Sequence, residues 1–464
     1  MSLYLMLTFF ACASALLDTK DVVFVILSQE NRYHLQLAEN LKLDIYKQAE
    51  RISKIHPIVH LSHSDFPHPG GWTVLPLIPR LANLHKGNSS WIFFLEDRTK
   101  VNLNVLLDKL VQYNSQKEIW IGHALYDKEA SIIHHFAFYD DPAYFKYPNI
   151  ASGFAMSITL IKRLAERIKK HSVPPSDFNI DNSHELALFV WNNGAGQMLE
   201  DEPTLCIKEE PQCAAFPTTF QLCGELVPKE SIYFAVKTCH KYHKDRVPVV
   251  KSTWARHADT VRFFSDLEDA SIPSVTVGIP NSEQGHCRKT VGILRHVAGE
   301  IRHRPQIKWI VVADDDTILS VSRMQQLLSC YNPDEMVALG ERYGYNVQNI
   351  NNHHGYNYIT GGGGMVFSRS LLDELVKPEL CECPSLTTPD DMYLGICIAR
   401  LGLTVTHSPL FHQARPVDYA QGFLETEDAV SFHKHWMIDP INVYQQWFSH
   451  LDSASDITLH HNEL

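Results

Sequence analysis

Three neighbouring carboxylates, Asp314-Asp315-Asp316, stand where the apolar run Trp309-Ile310-Val311-Val312-Ala313 ends. Grouped this closely they repel one another unless they share a cation, and hard oxygen ligands suit Mg²⁺ or Mn²⁺. A divalent cation held here would let an acidic protein bind a diphosphate and offset the charge of a diphosphate leaving group. A second carboxylate pair, Asp390-Asp391, follows Pro389 and precedes the apolar stretch Met392–Ile398, which puts it at a helix N-terminus. Carboxylates there favour the helix dipole by about 1 kcal/mol each, and one at a pocket mouth can take a proton from an attacking hydroxyl. The run Gly361-Gly362-Gly363-Gly364 lacks the spacing of a dinucleotide or P-loop fingerprint, but it lets backbone approach a ligand closely. His412 closes the segment Pro409-Leu410-Phe411-His412 after the strand-like Thr404-Val405-Thr406 and is a candidate metal ligand among 26 histidines.

These residues need strands to carry them, and the strands are duplicated. Trp91-Ile92-Phe93-Phe94-Leu95-Glu96-Asp97-Arg98-Thr99 aligns with Trp309–Thr317, and at the same spacing Ile121-Gly122 lies over Leu339-Gly340. Further on, Ile150–Ser157 lies over Gly361–Ser368. Three matches in one order indicate two related α/β domains, each a mainly parallel sheet with ligands at the strand C-terminal ends. The first domain is expected over 21–195, opening with Val22–Leu27, and the second over 231–450, opening with Ile232–Val236. Residues 196–230, rich in Pro, acids and Cys, read as a disulfide-pinned linker.

The chain has 464 residues, 41 Lys and Arg against 53 Asp and Glu, and a formal charge of −12, which excludes a protein that lives on nucleic-acid phosphates. No later apolar run approaches the roughly 20 residues of a stable membrane span. Residues 1–15 read as a secretory signal peptide, within the apolar run Leu3–Leu17 and ending at Ala13-Ser14-Ala15, although no Lys or Arg precedes it. The C-terminal His461-Asn462-Glu463-Leu464, at the end of a 451–464 tail, is a variant of the endoplasmic-reticulum retrieval signal. Together they place a soluble protein in that lumen, with a retrieval receptor as partner. Of 10 Cys, Cys12 leaves with the leader, so an odd number remains: disulfides of open connectivity, plus at least one free thiol. Asn88-Ser89-Ser90 is a glycosylation sequon.

The second-domain segments together resemble glycosyltransferase family 31, the β-1,3-glycosyltransferases that include the Fringe proteins. They are Phe234-Ala235-Val236-Lys237-Thr238 with Arg246 and Thr253-Trp254, then Phe263-Phe264-Ser265-Asp266, Asp314-Asp315-Asp316, the glycines before Met365-Val366-Phe367-Ser368, Pro389-Asp390-Asp391, and Ser408–His412. The resemblance implies two tandem GT-A-like domains and inverting, metal-dependent transfer from a UDP-sugar. On the matching positions, Asp316 would be the principal metal ligand, Asp314 and Asp315 would hold ribose and metal-bound water, and His412 would complete the coordination. Lys237, Thr238, Arg246 and Asp266 would line the nucleotide pocket, with Gly362 and Gly363 under the donor sugar. Asp391, rather than Asp390, would deprotonate the acceptor. Within the family, the duplication and the tail look most like members that move glucose from UDP-glucose to O-linked fucose on thrombospondin type 1 repeats. Galactosyl or N-acetylglucosaminyl transfer, or non-catalytic binding of lumenal glycoproteins, are the alternatives. In the first domain Arg98 replaces the third aspartate, Ser152-Gly153 replaces part of the glycine run and Asn182-Ser183 falls near the Asp390-Asp391 position, so that copy is expected to be catalytically silent.

Overall fold

A computed structural model of the chain describes residues 17–171, 177–349 and 354–454; the expected leader and retrieval tetrapeptide lie outside the described residues. The N-terminal half forms a six-stranded sheet from β1 (Val22–Leu27), β2 (Ile58–Leu61), β3 (Trp91–Glu96), β4 (Trp120–Gly122), β5 (Phe154–Ser157) and β6 (Glu200–Asp201). Its order is β6-β4-β5-β3-β1-β2. The C-terminal half forms a seven-stranded sheet from β7 (Ile232–Lys237), β8 (Thr260–Ser265), β9 (Ser274–Thr276), β10 (Trp309–Asp314), β11 (Ala338–Gly340), β12 (Met365–Ser368) and β13 (Thr406–His407). Its order is β13-β11-β12-β10-β7-β8-β9, so apart from the edge strand β9 the two sheets have the same topology. In each, a single strand, β5 or β12, runs against its neighbours. The register repeats as well: Val22 pairs with Trp91 and Ile232 with Trp309, while Trp91 pairs with Ser157 and Trp309 with Ser368.

The central strands are apolar throughout because both faces are covered. Val22, Phe24 and Ile26 pack on one side of the first sheet, Val23 and Val25 on the other. In the second sheet Ile232, Phe234 and Val236 oppose Tyr233 and Ala235 in the same period of two. The helices that matter below are α1 (Arg32–Ile52), α2 (Asn182–Trp191), α3 (Cys287–Glu300) and α4 (Asp390–Arg400). The apolar faces of α1 and α3 close one side of their sheets.

Residues 196–230 do not stand free as a linker would. Glu200–Asp201 is the edge strand β6, Ala215–Pro217 pairs with Thr99–Val101, and the disulfides Cys206–Cys213 and Cys223–Cys330 close the segment and tie it to the C-terminal half. Cys287–Cys383 and Cys381–Cys397 connect α3 to α4 through the segment between them, leaving Cys239 buried and unpaired among the described residues. The halves also share a small sheet, in which Phe178–Asn179 joins the hairpin Arg342–Tyr345 and Tyr356–Ile359. No helix among the described residues is long and apolar enough to cross a membrane.

Candidate active site

Asp314 ends β10, and the chain turns through Asp315 and Asp316 into the short strand Thr317–Leu319. That strand pairs antiparallel with Ser431–His433, Thr317 opposite His433. The pairing sets His433 Nε2 3.1 Å from Asp316 Oδ1 and 3.9 Å from Asp314 Oδ2. One ligand atom from each of these three residues lies within 4.8 Å of the other two. On its far side His433 donates from Nδ1 to the Gln413 carbonyl at 2.9 Å, which orients the ring and aims Nε2 at the carboxylates. Burial favours the neutral imidazole, but the hydrogen bond to Asp316 and the negative charges outweigh it and raise the His433 pKa. The field that favours a proton here equally favours a cation.

The glycine run is built against this cluster. The Thr317 hydroxyl donates to the Gly362 carbonyl at 2.8 Å, and Gln413 Oε1 accepts from the amides of Gly362 and Gly363 at 2.9 and 3.1 Å. A Cβ on Gly362 would lie 2.3 Å from the His433 ring, so this position must be glycine. Two carboxylates and one carbonyl-anchored imidazole, with backbone pressed against the ring, fit Mn²⁺ or Mg²⁺.

Asp315 points elsewhere. Its carboxylate accepts from the Thr238 hydroxyl at 2.6 Å and from Arg246 at 2.8 Å, and burial pushes its pKa up to about 6. Arg246 also reaches Asp316 at 2.8 Å and lies over the Tyr242 ring. Lys237, at the end of β7, bridges Asp314 Oδ1 at 3.0 Å and Asp390 Oδ2 at 2.6 Å. Asp390 accepts further from the Thr290 hydroxyl on α3 at 2.6 Å. Burial works against its ionisation, but Lys237 and these hydrogen bonds win and lower its pKa. Asp391 is the contrasting neighbour: burial and the adjacent Asp390 charge push its pKa up to about 6, and its carboxylate accepts from its neighbour's amide, Met392 N, at 2.7 Å.

Among the other sequence candidates, His412 is placed away from the cluster. It is fully buried, donates from Nδ1 to the Ser431 carbonyl at 3.0 Å and packs between Phe432 and Tyr419. The histidine beside Asp316 is His433, because strand pairing presents Ser431–His433 edge-on while His412 turns inward behind it. Asp266 stands apart, accepting from the His240 amide at 2.8 Å. Asn88 is exposed in the turn before β3. Sequence reasoning passed over His433, Gln413, Thr290 and His435, whose buried Nε2 has no partner and whose pKa burial lowers to about 4. The alternation Val430–His435, apolar and then His-Lys-His, was the available signal.

The N-terminal half keeps the scaffold of this site without its third carboxylate, with Glu96-Asp97-Arg98 in place of Asp314-Asp315-Asp316. Thr99 bonds the Glu96 amide and the Ala151 carbonyl as Thr317 bonds Asp314 and Gly362. Gly153 (φ +78°) repeats the left-handed turn of Gly364 (φ +99°). Arg98, at the Asp316 position, is buried and paired with Glu427.

A family model described as Fringe-like matches residues 227–462. The chain is 47% identical to a beta-1,3-glucosyltransferase of Mus musculus over 93% of its own length and 87% of that protein. It is also 47% identical to a Homo sapiens beta-1,3-glucosyltransferase over 94% and 86%. With the beta-1,3-N-acetylglucosaminyltransferase lunatic fringe of Mus musculus it shares 26% identity over 41% of this chain and 54% of that one. The repeated α/β sheets, the carboxylate and histidine cluster and these similarities agree: the chain belongs to the Fringe-like β-1,3-glycosyltransferases of glycosyltransferase family 31.

Proposed function

We propose that the C-terminal half transfers glucose from UDP-glucose, with inversion, to the 3-hydroxyl of fucose O-linked to folded thrombospondin type 1 repeats. The observation that carries this reading is the link through Lys237 between Asp314, of the Asp314–Asp316–His433 cluster, and the start of α4, where Asp391 stands. That joins a candidate cation site to a candidate base. Identity with β-1,3-glucosyltransferases along most of both chains supports glucose as the donor sugar. The acceptor rests on the sequence resemblance, and residence in the endoplasmic reticulum lumen rests on the leader and on the retrieval-like tail.

Asp314, Asp316 and His433 would hold the divalent ion, Mn²⁺ or Mg²⁺, which would supply charge neutralisation for the departing diphosphate. Arg246 and Thr238 fix Asp315, keeping that carboxylate out of the ion's way and available to the nucleotide. Lys237 keeps Asp390 ionised and immobile, so Asp390 does not serve as the base. Asp391, whose pKa of about 6 lies just below neutral pH, takes the acceptor's proton as its oxygen attacks opposite the diphosphate. One base suffices, and no protein nucleophile is required. The N-terminal half, 21–195, is a catalytically silent copy because Arg98 sits where the ion would. Asn88 is positioned to carry a glycan, and residues 461–464 would engage a retrieval receptor.

The test is transfer from a panel of UDP-sugars to a folded, O-fucosylated thrombospondin type 1 repeat with Mn²⁺, wild type against Asp316→Ala. Glucose transfer that is lost in the variant is expected. Transfer of another sugar would correct the donor, and no transfer by the wild type would overturn the reading.

A further inference from the structure

The silent half is not solid at the place that corresponds to the metal site. A cavity of about 140 Å³ opens there, at the ends of β1 and β3. Its floor comprises Glu96–Arg98, Asn149–Ala151 and Asp181–Ser183, which by strand register and helix start replace Asp314–Asp316, the glycine loop and the start of α4. Its far wall comes from the other half, including Glu341, Arg342 and His412. We propose that this cavity is a second sugar-binding site, holding one neutral hexose ring between the two halves.

Size is the first argument. A closed cavity of roughly 150 Å³ takes a benzene ring, and this one, which is partly open, has room for one ring with its hydroxyls rather than for a longer glycan. Unmet hydrogen bonds are the second. Asn149, 2% exposed, accepts from the Ala151 amide with its side-chain oxygen, while Nδ2 has no partner. His412 is 0% exposed, and with Nδ1 committed to Ser431 its partnerless Nε2 is an acceptor. Arg342 Nε is a third buried atom without a partner, a donor. All three residues line this one cavity. Donors and acceptors left unmet in a buried space are costly, and hydroxyls, which serve in both senses, answer both kinds. Charge is the third argument. Glu96, Asp97, Asp181 and Glu341 line the space together with Arg98 and Arg342, so an anion would meet carboxylates, and Arg98 bars the ion that a nucleotide diphosphate would need. A neutral polyol meets neither obstacle.

The cavity is separate from the catalytic cluster but backs onto it. His412 faces the cavity, while its neighbour Gln413 holds Gly362, Gly363 and His433.

The test is direct binding of methyl glycosides of glucose, galactose and fucose to the full chain, read by saturation-transfer NMR and calorimetry in wild type, Asn149→Leu and Ile133→Trp. Because no turnover is measured, failure here leaves the transfer reading untouched. We expect at least one glycoside to bind at one site per chain, about 10-fold or more weaker in Asn149→Leu for the lost hydrogen bond, and not at all in Ile133→Trp, where a large side chain fills the cavity. Competition by an O-fucosylated repeat would mark the ring as part of a glycoprotein glycan, and its absence would mark a free sugar. No binding by the wild type, or equal binding by wild type and both folded variants, overturns the proposal and leaves a water-filled cavity. If Asn149→Leu fails to fold, Ile133→Trp decides.

Discussion

Arg98 Nη2 lies 3.0 Å from Oε1 and 3.2 Å from Oε2 of Glu427, so the residue that stands at the Asp316 position in the N-terminal sheet is paired with a carboxylate of the C-terminal half. Both side chains are buried. The two sheets share their strand order, and where the second carries Asp316 the first carries a cation of its own. Removing one partner of such a pair leaves an uncompensated buried charge, which costs about 3–5 kcal/mol. Arg98→Met is therefore expected to destabilise the chain on that scale in urea unfolding, and Arg98→Met with Glu427→Gln to recover most of the loss. A loss within about 1 kcal/mol for the single variant would mean that the pair is screened like a surface one.

Mn²⁺ titration followed by electron paramagnetic resonance separates the two histidines. His433→Ala is expected to weaken binding by more than about 100-fold, and Gln413→Leu, which loosens the Gly362–Gly363 loop, by about 10-fold. His412→Ala should leave affinity unchanged. The reverse order would return His412 to the coordination sphere.

Asp391→Asn should lower kcat by about 10² to 10⁴-fold with little change in the KM for the sugar nucleotide, because the base acts in the transition state. A base works only when deprotonated, so wild-type kcat/KM should fall as pH drops through about 6, the raised pKa of Asp391. An acid limb below pH 4 would exclude Asp391 as the base. Asp390→Asn strips Lys237 of one of its two anions and should show as instability in addition to lost activity.

Glycines in the run are unequal. Gly362→Ala drives a methyl into the His433 ring at 2.3 Å, whereas a Cβ on Gly361 meets nothing within 4 Å. Gly362→Ala is expected to reduce Mn²⁺ affinity and activity together, and Gly361→Ala to change neither by more than about 2-fold, since an open surface position adds little strain. Equal effects would show that the loop rearranges freely.

Much of this protein was legible from its residues alone. Apolar strands that end in acids, met twice in the same order, are local patterns, and burial on both faces leaves few choices of pairing, so the sheets follow from them. The Asp cluster after β10, the acidic start of α4 and the presence of an odd cysteine could be read because each depends on a short stretch or a count; that the odd one is Cys239 came only from the disulfide pairing in the fold. Tertiary structure decided what local patterns leave open. His433 reaches Asp316 through a strand pairing that joins distant segments, and nothing in the sequence around His412 reveals that it faces the other way. Asp390 and Asp391 are adjacent in the chain, yet one is held by Lys237 and Thr290 and the other is not, because successive residues on a helix point in different directions. That Arg98 should find Glu427 rather than water depended on the packing of the two halves against each other, a non-local choice that composition and spacing do not encode.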